Sequence, residues 1–211
     1  MLRTTLLCAL LLLAGWATAS WLTFGFQAWT DEGARRLAVA LRPVALPEVL
    51  VDGAQLPART LPALLAEGGG VTIADFFYTR CETVCLSLGS SFQQLQQALQ
   101  DAPNPGVRLL SISFDGAHDD PRALAAYAAG LQADPALWRF ARVPDGAQQQ
   151  ALLARLGVVV IPNGQGDYEH NAALLVLDAR GRMLRIFDLA EQQLALDYAR
   201  HLARQGKAGA S

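Results

Sequence analysis

The sequence predicts an α/β fold, a central mixed sheet flanked by helices on both faces, together with one N-terminal transmembrane helix. Three observations carry this. Strand-like and helix-like segments alternate along the body of the chain, a final pair of strand segments is spaced as a hairpin, and the chain opens on a long run without charge. At 211 residues there is room for one domain plus an appendage rather than two full domains.

The uncharged run extends from Thr4 to Phe26. At the helical rise, 23 residues cover about 34 Å, enough for a hydrocarbon core of roughly 30 Å. A cleaved signal peptide is the competing reading, with an apolar centre at Leu6 to Leu13 and a small-x-small site at Ala17-Thr18-Ala19. A retained signal anchor fits better, because Trp21, Leu22, Phe24 and Phe26 carry the apolar character past that site. Trp21 and Trp29 are placed to sit near the outer interface. The expected organisation is a cytoplasmic stub at 1–3, a span at 4–26, a connector at 27–43, a folded domain at 44–205 and a tail at 206–211.

In the connector, Ala34, Leu37, Ala38 and Leu41 fall at helical spacing and stop at Pro43. Val44 to Leu50 is followed by a turn signal at Asp52-Gly53, then by Leu61 to Ala66 and a break at Gly68-Gly69-Gly70. Val71 to Tyr78 is a strand rich in β-branched and aromatic residues. A loop over Thr79 to Thr83 leads to a helix from about Val84 to Gln100, with Leu88, Phe92, Leu95 and Leu99 on one face. After a proline-containing break at 101–106, Val107 to Phe114 reads as a second buried strand.

Asp120-Pro121 marks a helix start, a capping carboxylate before a proline at the first helical position, and that helix runs to about Gln132. Trp138 to Val143 is a shorter strand, Gly146 to Leu156 a helix, and Val158 to Ile161 an apolar segment that stops at Pro162. The polar stretch Asn163 to Asp167 leads into Tyr168-Glu169-His170. Ala173 to Leu177 and Arg182 to Asp188 then form the hairpin, and an amphipathic helix spans roughly Glu191 to Arg204.

Charge excludes one function class. Seventeen basic residues are outnumbered by nineteen acidic ones and are scattered, so the clustered cations that neutralise nucleic-acid phosphates are missing. The sequence also lacks a phosphate loop, a dinucleotide fingerprint and a nucleophile elbow.

Of the three cysteines, Cys8 sits in the apolar run and reads as a small hydrophobe. Cys81 and Cys85 stand where a buried strand hands over to a helix. A helix N-terminus favours thiolate over thiol, which makes both a better nucleophile and a better metal ligand, and Arg80 adds to that field. Residues four apart on a helix share a side, so this pair suits a disulfide, a redox couple or a metal clamp. Three residues separate the cysteines, one more than in a thioredoxin-type pair.

Soft sulfur ligands favour Cu(I), and imidazole suits both copper states and zinc. His201 lies beside Arg200 and Arg204 on the last helix and reads as a solvated surface residue. His118 reads as an exposed residue of an acidic loop, and Asp115, Asp119 and Asp120 in that loop lack the spacing of a calcium hand. His170 closes an irregular loop, and such a histidine alone does not define a ligand. Phe76, Phe77 and Tyr78 read as sheet core, with Tyr78 close to the site.

Three motifs together resemble the Sco/SenC family of copper-handling proteins. They are Asp75-Phe76-Phe77-Tyr78-Thr79-Arg80-Cys81-Glu82-Thr83-Val84-Cys85, the run Ser111 to Asp115 through Asp119-Asp120-Pro121, and Asp167-Tyr168-Glu169-His170 before a strand. The match covers about residues 44 to 205. Many members have proline after each cysteine, where this chain has Glu82 and Leu86, and Asp before the histidine, where it has Glu169.

The resemblance implies a thioredoxin-like fold. It implies one copper per chain, Cu(I) or Cu(II), held by Cys81, Cys85 and His170, with the two cysteines forming a disulfide when oxidised. It also implies a role in building the dinuclear copper centre of cytochrome c oxidase, as metal donor or as thiol reductant. The implied partners are the oxidase's copper-site subunit and other copper chaperones or thiol reductants. The implied location is the inner membrane, with the folded domain in the periplasm. Two other readings stay open: a thiol–disulfide oxidoreductase in which Cys81 attacks and Cys85 resolves, and a structural disulfide in a partner-binding domain.

Overall fold

A computed structural model describes residues 2–80, 84–102, 106–164 and 167–208, with the side chains of 84–87, 207 and 208 not described. Cys81 therefore lies outside the described residues, and Cys85 is described only as a position within a helix. The chain divides into Met1–Arg42 and Pro43–Ser211.

The first unit holds two helices. Helix α1, Leu2–Leu22, buries none of its residues and is long and apolar enough to cross a membrane. Helix α2, Asp31–Leu41, starts at Thr30, whose hydroxyl accepts from the Gly33 N–H at 3.0 Å. Glu32 in its first turn accepts from Arg35 and Arg36, and the helix stops just before Pro43.

The second unit starts with strands β1 (Val44–Ala45), β2 (Leu50–Gly53) and β3 (Leu56–Thr60), then helix α3 (Leu61–Gly68). Next come β4 (Val71–Phe77), α4 (Val84–Asp101), β5 (Val107–Ser113), α5 (Pro121–Gly130), β6 (Trp138–Arg142) and α6 (Gly146–Leu156). A small hairpin, β7 (Val160–Pro162) with β8 (Tyr168–His170), precedes β9 (Leu174–Asp178), β10 (Arg182–Phe187) and α7 (Gln192–Ala208). The large sheet has the order β1-β10-β9-β4-β5-β6-β2-β3, and β7 and β8 form a separate two-stranded sheet. The helical crossovers α4 and α5 make β4, β5 and β6 parallel, whereas the short turn between β9 and β10 makes them antiparallel. The mixed sheet flanked by helices is the predicted fold class.

All seven residues of β4 are buried, as befits a strand covered on both faces. Side chains alternate along a strand, so the parallel register places Ile73, Asp75 and Phe77 on one face with Leu109, Ser111 and Ser113, and with Trp138 and Phe140. Phe92 of α4 lies 5.4 Å from the Trp138 ring, and Tyr127 of α5 stacks on Phe77 at 5.0 Å. Those two helices thus cover this face. Helix α7 runs beside α4, where Arg200 donates to the Ala98 carbonyl at 2.7 Å. Helix α3 lies over the other face, its Leu64 and Leu65 lining a cavity with Thr72 and Leu110.

One local expectation needs correction. The turn predicted at Asp52-Gly53 lies two residues later, at Ala54 and Gln55, and both predicted turn residues belong to β2. Pairing with β6 decides this: Asp52 meets Arg142 at 2.8 Å, and Gly53 fits because a side chain there would collide with the Phe140 carbonyl. The residues after the turn become β3, a strand the periodicity did not announce. Val160–Pro162 and Tyr168–His170, whose pairing the sequence did not announce, pair with each other in the register Val160↔His170.

Candidate functional site

The site is built where β4 and β5 end. Past β4 comes Tyr78, fully buried, and then Thr79 and Arg80 lead to Cys81. Asp119, 1% exposed, fixes this exit by accepting from the Thr79 backbone N–H at 2.9 Å, from the Thr79 hydroxyl at 2.5 Å and from the Ser113 hydroxyl at 2.6 Å. The Ser113 hydroxyl in turn accepts from the Asp115 N–H at 3.0 Å. Three donors on one buried carboxylate replace the water it gave up.

Arg80 is tied down by a second carboxylate. Its Nη2 donates to Asp115 Oδ2 at 2.6 Å, and that hydrogen bond raises the guanidinium pKa further. The other Asp115 oxygen lies 2.7 Å from His118 Nδ1. The loop beyond Phe114 is held by Gln149 of α6, which donates to the Phe114 carbonyl at 2.5 Å and accepts from the Gly116 N–H at 3.2 Å.

His170 reaches the same end of the sheet on β8. Its ring lies 5.0 Å from that of Phe114, and burial pushes its pKa down, favouring neutral imidazole, the ligand form. Tyr168, two residues earlier, sets its ring edge-on to Tyr78 at 5.1 Å and to Phe114 at 5.6 Å. The Tyr168 N–H also donates to the Tyr78 hydroxyl at 3.4 Å. These aromatic contacts dock the small hairpin onto the strand that runs on to Cys81.

Of the residues singled out from sequence, His170, Tyr78 and Arg80 thus gather at one end of the sheet. Cys85 belongs to the first turn of α4, and Cys81 lies outside the described residues. His118 is 62% exposed, as read from sequence, and is paired with Asp115. His201 is exposed on α7, with Nε2 2.9 Å from Gln205 Nε2. Asp120 caps α5 by accepting from the Ala123 N–H at 2.8 Å, whereas Asp115 and Asp119 turn inward. That inward turn was missed, and one signal could have shown it: Ser111 and Ser113 place two hydroxyls on one face of a strand that is apolar apart from Arg108. Among the described residues no group of three or more His, Cys, Asp or Glu side chains could hold a metal ion.

A family model described as SCO1/SenC matches residues 67–204. The SCO1 protein homolog of Bacillus subtilis (strain 168) is 29% identical over 125 residues, which is 58% of this chain and 64% of the length of that relative. The solved structure of BsSco, described as having a disulfide switch and as a member of the Sco family of cytochrome c oxidase assembly proteins, superposes with a TM-score of 0.66 at 20% identity, covering 77% of this chain and 95% of its own. Bradyrhizobium japonicum ScoI, solved with copper bound, gives a TM-score of 0.61 at 23% identity, over 75% of this chain and 99% of its own. At those identities the structural likeness speaks for the thioredoxin-like fold. The family model spans the strand exit, the Cys81–Cys85 segment and the His170 hairpin alike, and the chain belongs to the SCO1/SenC family.

Proposed function

We propose that this chain is a copper-binding assembly factor for cytochrome c oxidase, held in the inner membrane by α1 with its folded domain in the periplasm. Cys81, Cys85 and His170 would hold one copper. The observation that carries this reading is the docking of His170 beside Phe114, at the strand end from which the chain continues to Cys81. Two thiolates and a neutral imidazole are a donor set suited to Cu(I), and imidazole serves Cu(II) as well. Burial of His170 supports the fit, because it lowers the ring's pKa and a protonated ring cannot bind a metal.

In this reading the chain's own residues divide the work. Asp119 and Asp115 hold Thr79 and Arg80, and so fix where the cysteine segment begins. Phe114 and Tyr168 hold the imidazole. When bound, the copper is cargo for ligand exchange with the copper-site subunit of the oxidase. Such exchange is favoured by few, soft ligands near a surface.

Anaerobic Cu(I) titration of the reduced chain, read by sulfur-edge absorption, tests the assignment. One copper per chain is expected, with affinity lost in His170→Ala. A His170→Ala protein that binds as tightly as the parent overturns the ligand set.

A second use of the same thiols is favoured by a buried carboxylate upstream of Cys81, Asp75. There the reduced pair passes electrons to a disulfide of the target, Cys81 attacking and Cys85 resolving, and is left as a disulfide. Turnover that requires both cysteines and ignores His170 is the expected signature.

A further inference from the structure

Beneath α3, at the end of the sheet where β4 begins, lies a cavity of about 170 Å³. Its walls are apolar: Leu64 and Leu65 from α3, Leu109 and Leu110 from β5, and Leu137 just before β6. An apolar cavity of roughly 150 Å³ holds one benzene, so this one has room for a body of about that size. His170 belongs to the opposite end, beyond the finish of β4, so this space is separate from the site described above.

Cations are in excess around the cavity. The parallel register sets Thr72 beside Arg108 and Leu110 beside Arg139, so the two arginines are diagonal neighbours on the face that α3 covers. Like charges brought together on one sheet face repel. The carboxylate that lines the cavity, Glu67, is already shared. Arg59 of β3 pairs with it, and Arg139 reaches it only at 3.5 Å, beyond the about 2.7–2.9 Å of a tight charged hydrogen bond. Arg108 donates through Nη1 to the Ala136 carbonyl at 3.3 Å, and its buried Nε has no hydrogen-bond partner among the described residues. That leaves the Nε–Nη2 edge, the edge of a guanidinium that can take both oxygens of one carboxylate.

We propose that this cavity binds a small organic acid as its carboxylate, with an apolar body of about ring size, aromatic or short aliphatic. The body lies against the leucines and displaces water from them. The Arg108 guanidinium turns its Nε–Nη2 edge onto the carboxylate, and Arg139 approaches from the next strand. The anion then separates two like charges and gives the orphaned Nε an acceptor. An inorganic anion offers nothing to the leucines, and an uncharged ring offers nothing to the guanidiniums, so the class is narrowed to the combination.

The test uses the full chain, metal-free in a neutral detergent, with benzoate and hexanoate as probes. Binding is followed by isothermal titration against detergent alone. Saturable binding of at least one of the two acids is expected, together with a raised melting temperature. Arg108→Gln should weaken it roughly 10-fold or more, the factor for losing one charged hydrogen bond. Leu137→Trp, which fills the cavity and leaves both arginines in place, should abolish it. Arg139→Gln takes the place of the first variant if Arg108→Gln does not melt cooperatively. Binding of neither acid, equally tight binding of benzyl alcohol, displacement by equimolar inorganic phosphate, or an arginine variant with the parent's affinity overturns the proposal.

Discussion

Asp119 grips Thr79 at two points, its two oxygens taking the backbone N–H at 2.9 Å and the hydroxyl at 2.5 Å. The two residues are 40 positions apart in sequence. This contact joins the end of β4, just before the cysteine segment, to the loop that starts α5.

Asp119→Ala would leave the Thr79 N–H, the Thr79 hydroxyl and the Ser113 hydroxyl without their acceptor in a buried place. A loss of roughly 2–4 kcal/mol is expected, from about 1–3 kcal/mol for each donor left unpaired, less what relaxation recovers. Urea unfolding checks it, and a change below about 0.5 kcal/mol, the range of an ordinary surface substitution, contradicts the clamp.

Tyr168→Ala removes two edge-on ring contacts, each worth about 0.5–1.5 kcal/mol. Because β7 and β8 form their own sheet, global stability should fall little. Copper affinity should fall clearly, since His170 loses the contacts that dock its hairpin. Cu(I) competition titration beside thermal melting separates the two effects.

Gly53→Ala should destabilise the domain by about 1–3 kcal/mol, the usual cost of overpacking. A methyl group there meets the Phe140 carbonyl, part of the neighbouring strand rather than a movable side chain. Thermal melting of the variant is the measurement, and an unchanged midpoint would contradict the register of β2 on β6.

Asp75 gives stability a pH dependence of definite sign. Its carboxyl is raised from 3.8 to about 7 in the fold, so between those values the native state holds a proton that the unfolded chain has released. Its contribution is fully present below about pH 4 and is lost as pH rises toward 7. Asp75→Asn should flatten that part of the profile and be relatively more stable above pH 7. Urea midpoints from pH 4 to 8 report this, and parallel parent and variant curves would refute it.

Elements with local signals were legible before any fold was known. The uncharged run gave α1, a strand, helix, strand alternation gave the parallel centre, and Asp120-Pro121 gave the start of α5. The motifs around Cys81, Cys85 and His170 marked the family.

Which distant residues meet was settled by long-range packing. Asp52 and Gly53 carry the composition of a turn, but strand pairing with Arg142 and Ala141 drew them into β2. The loop carboxylates at 115 and 119 carry no spacing that assigns them a role, and their partners Arg80, Thr79 and Ser113 come from the ends of β4 and β5. His170 likewise owes its position to the packing of Tyr168 on Tyr78 and Phe114. The physical reason is common to all three. Periodicity and capping record what a segment does with its near neighbours, whereas burial of a polar side chain is decided by partners that long-range packing brings to it.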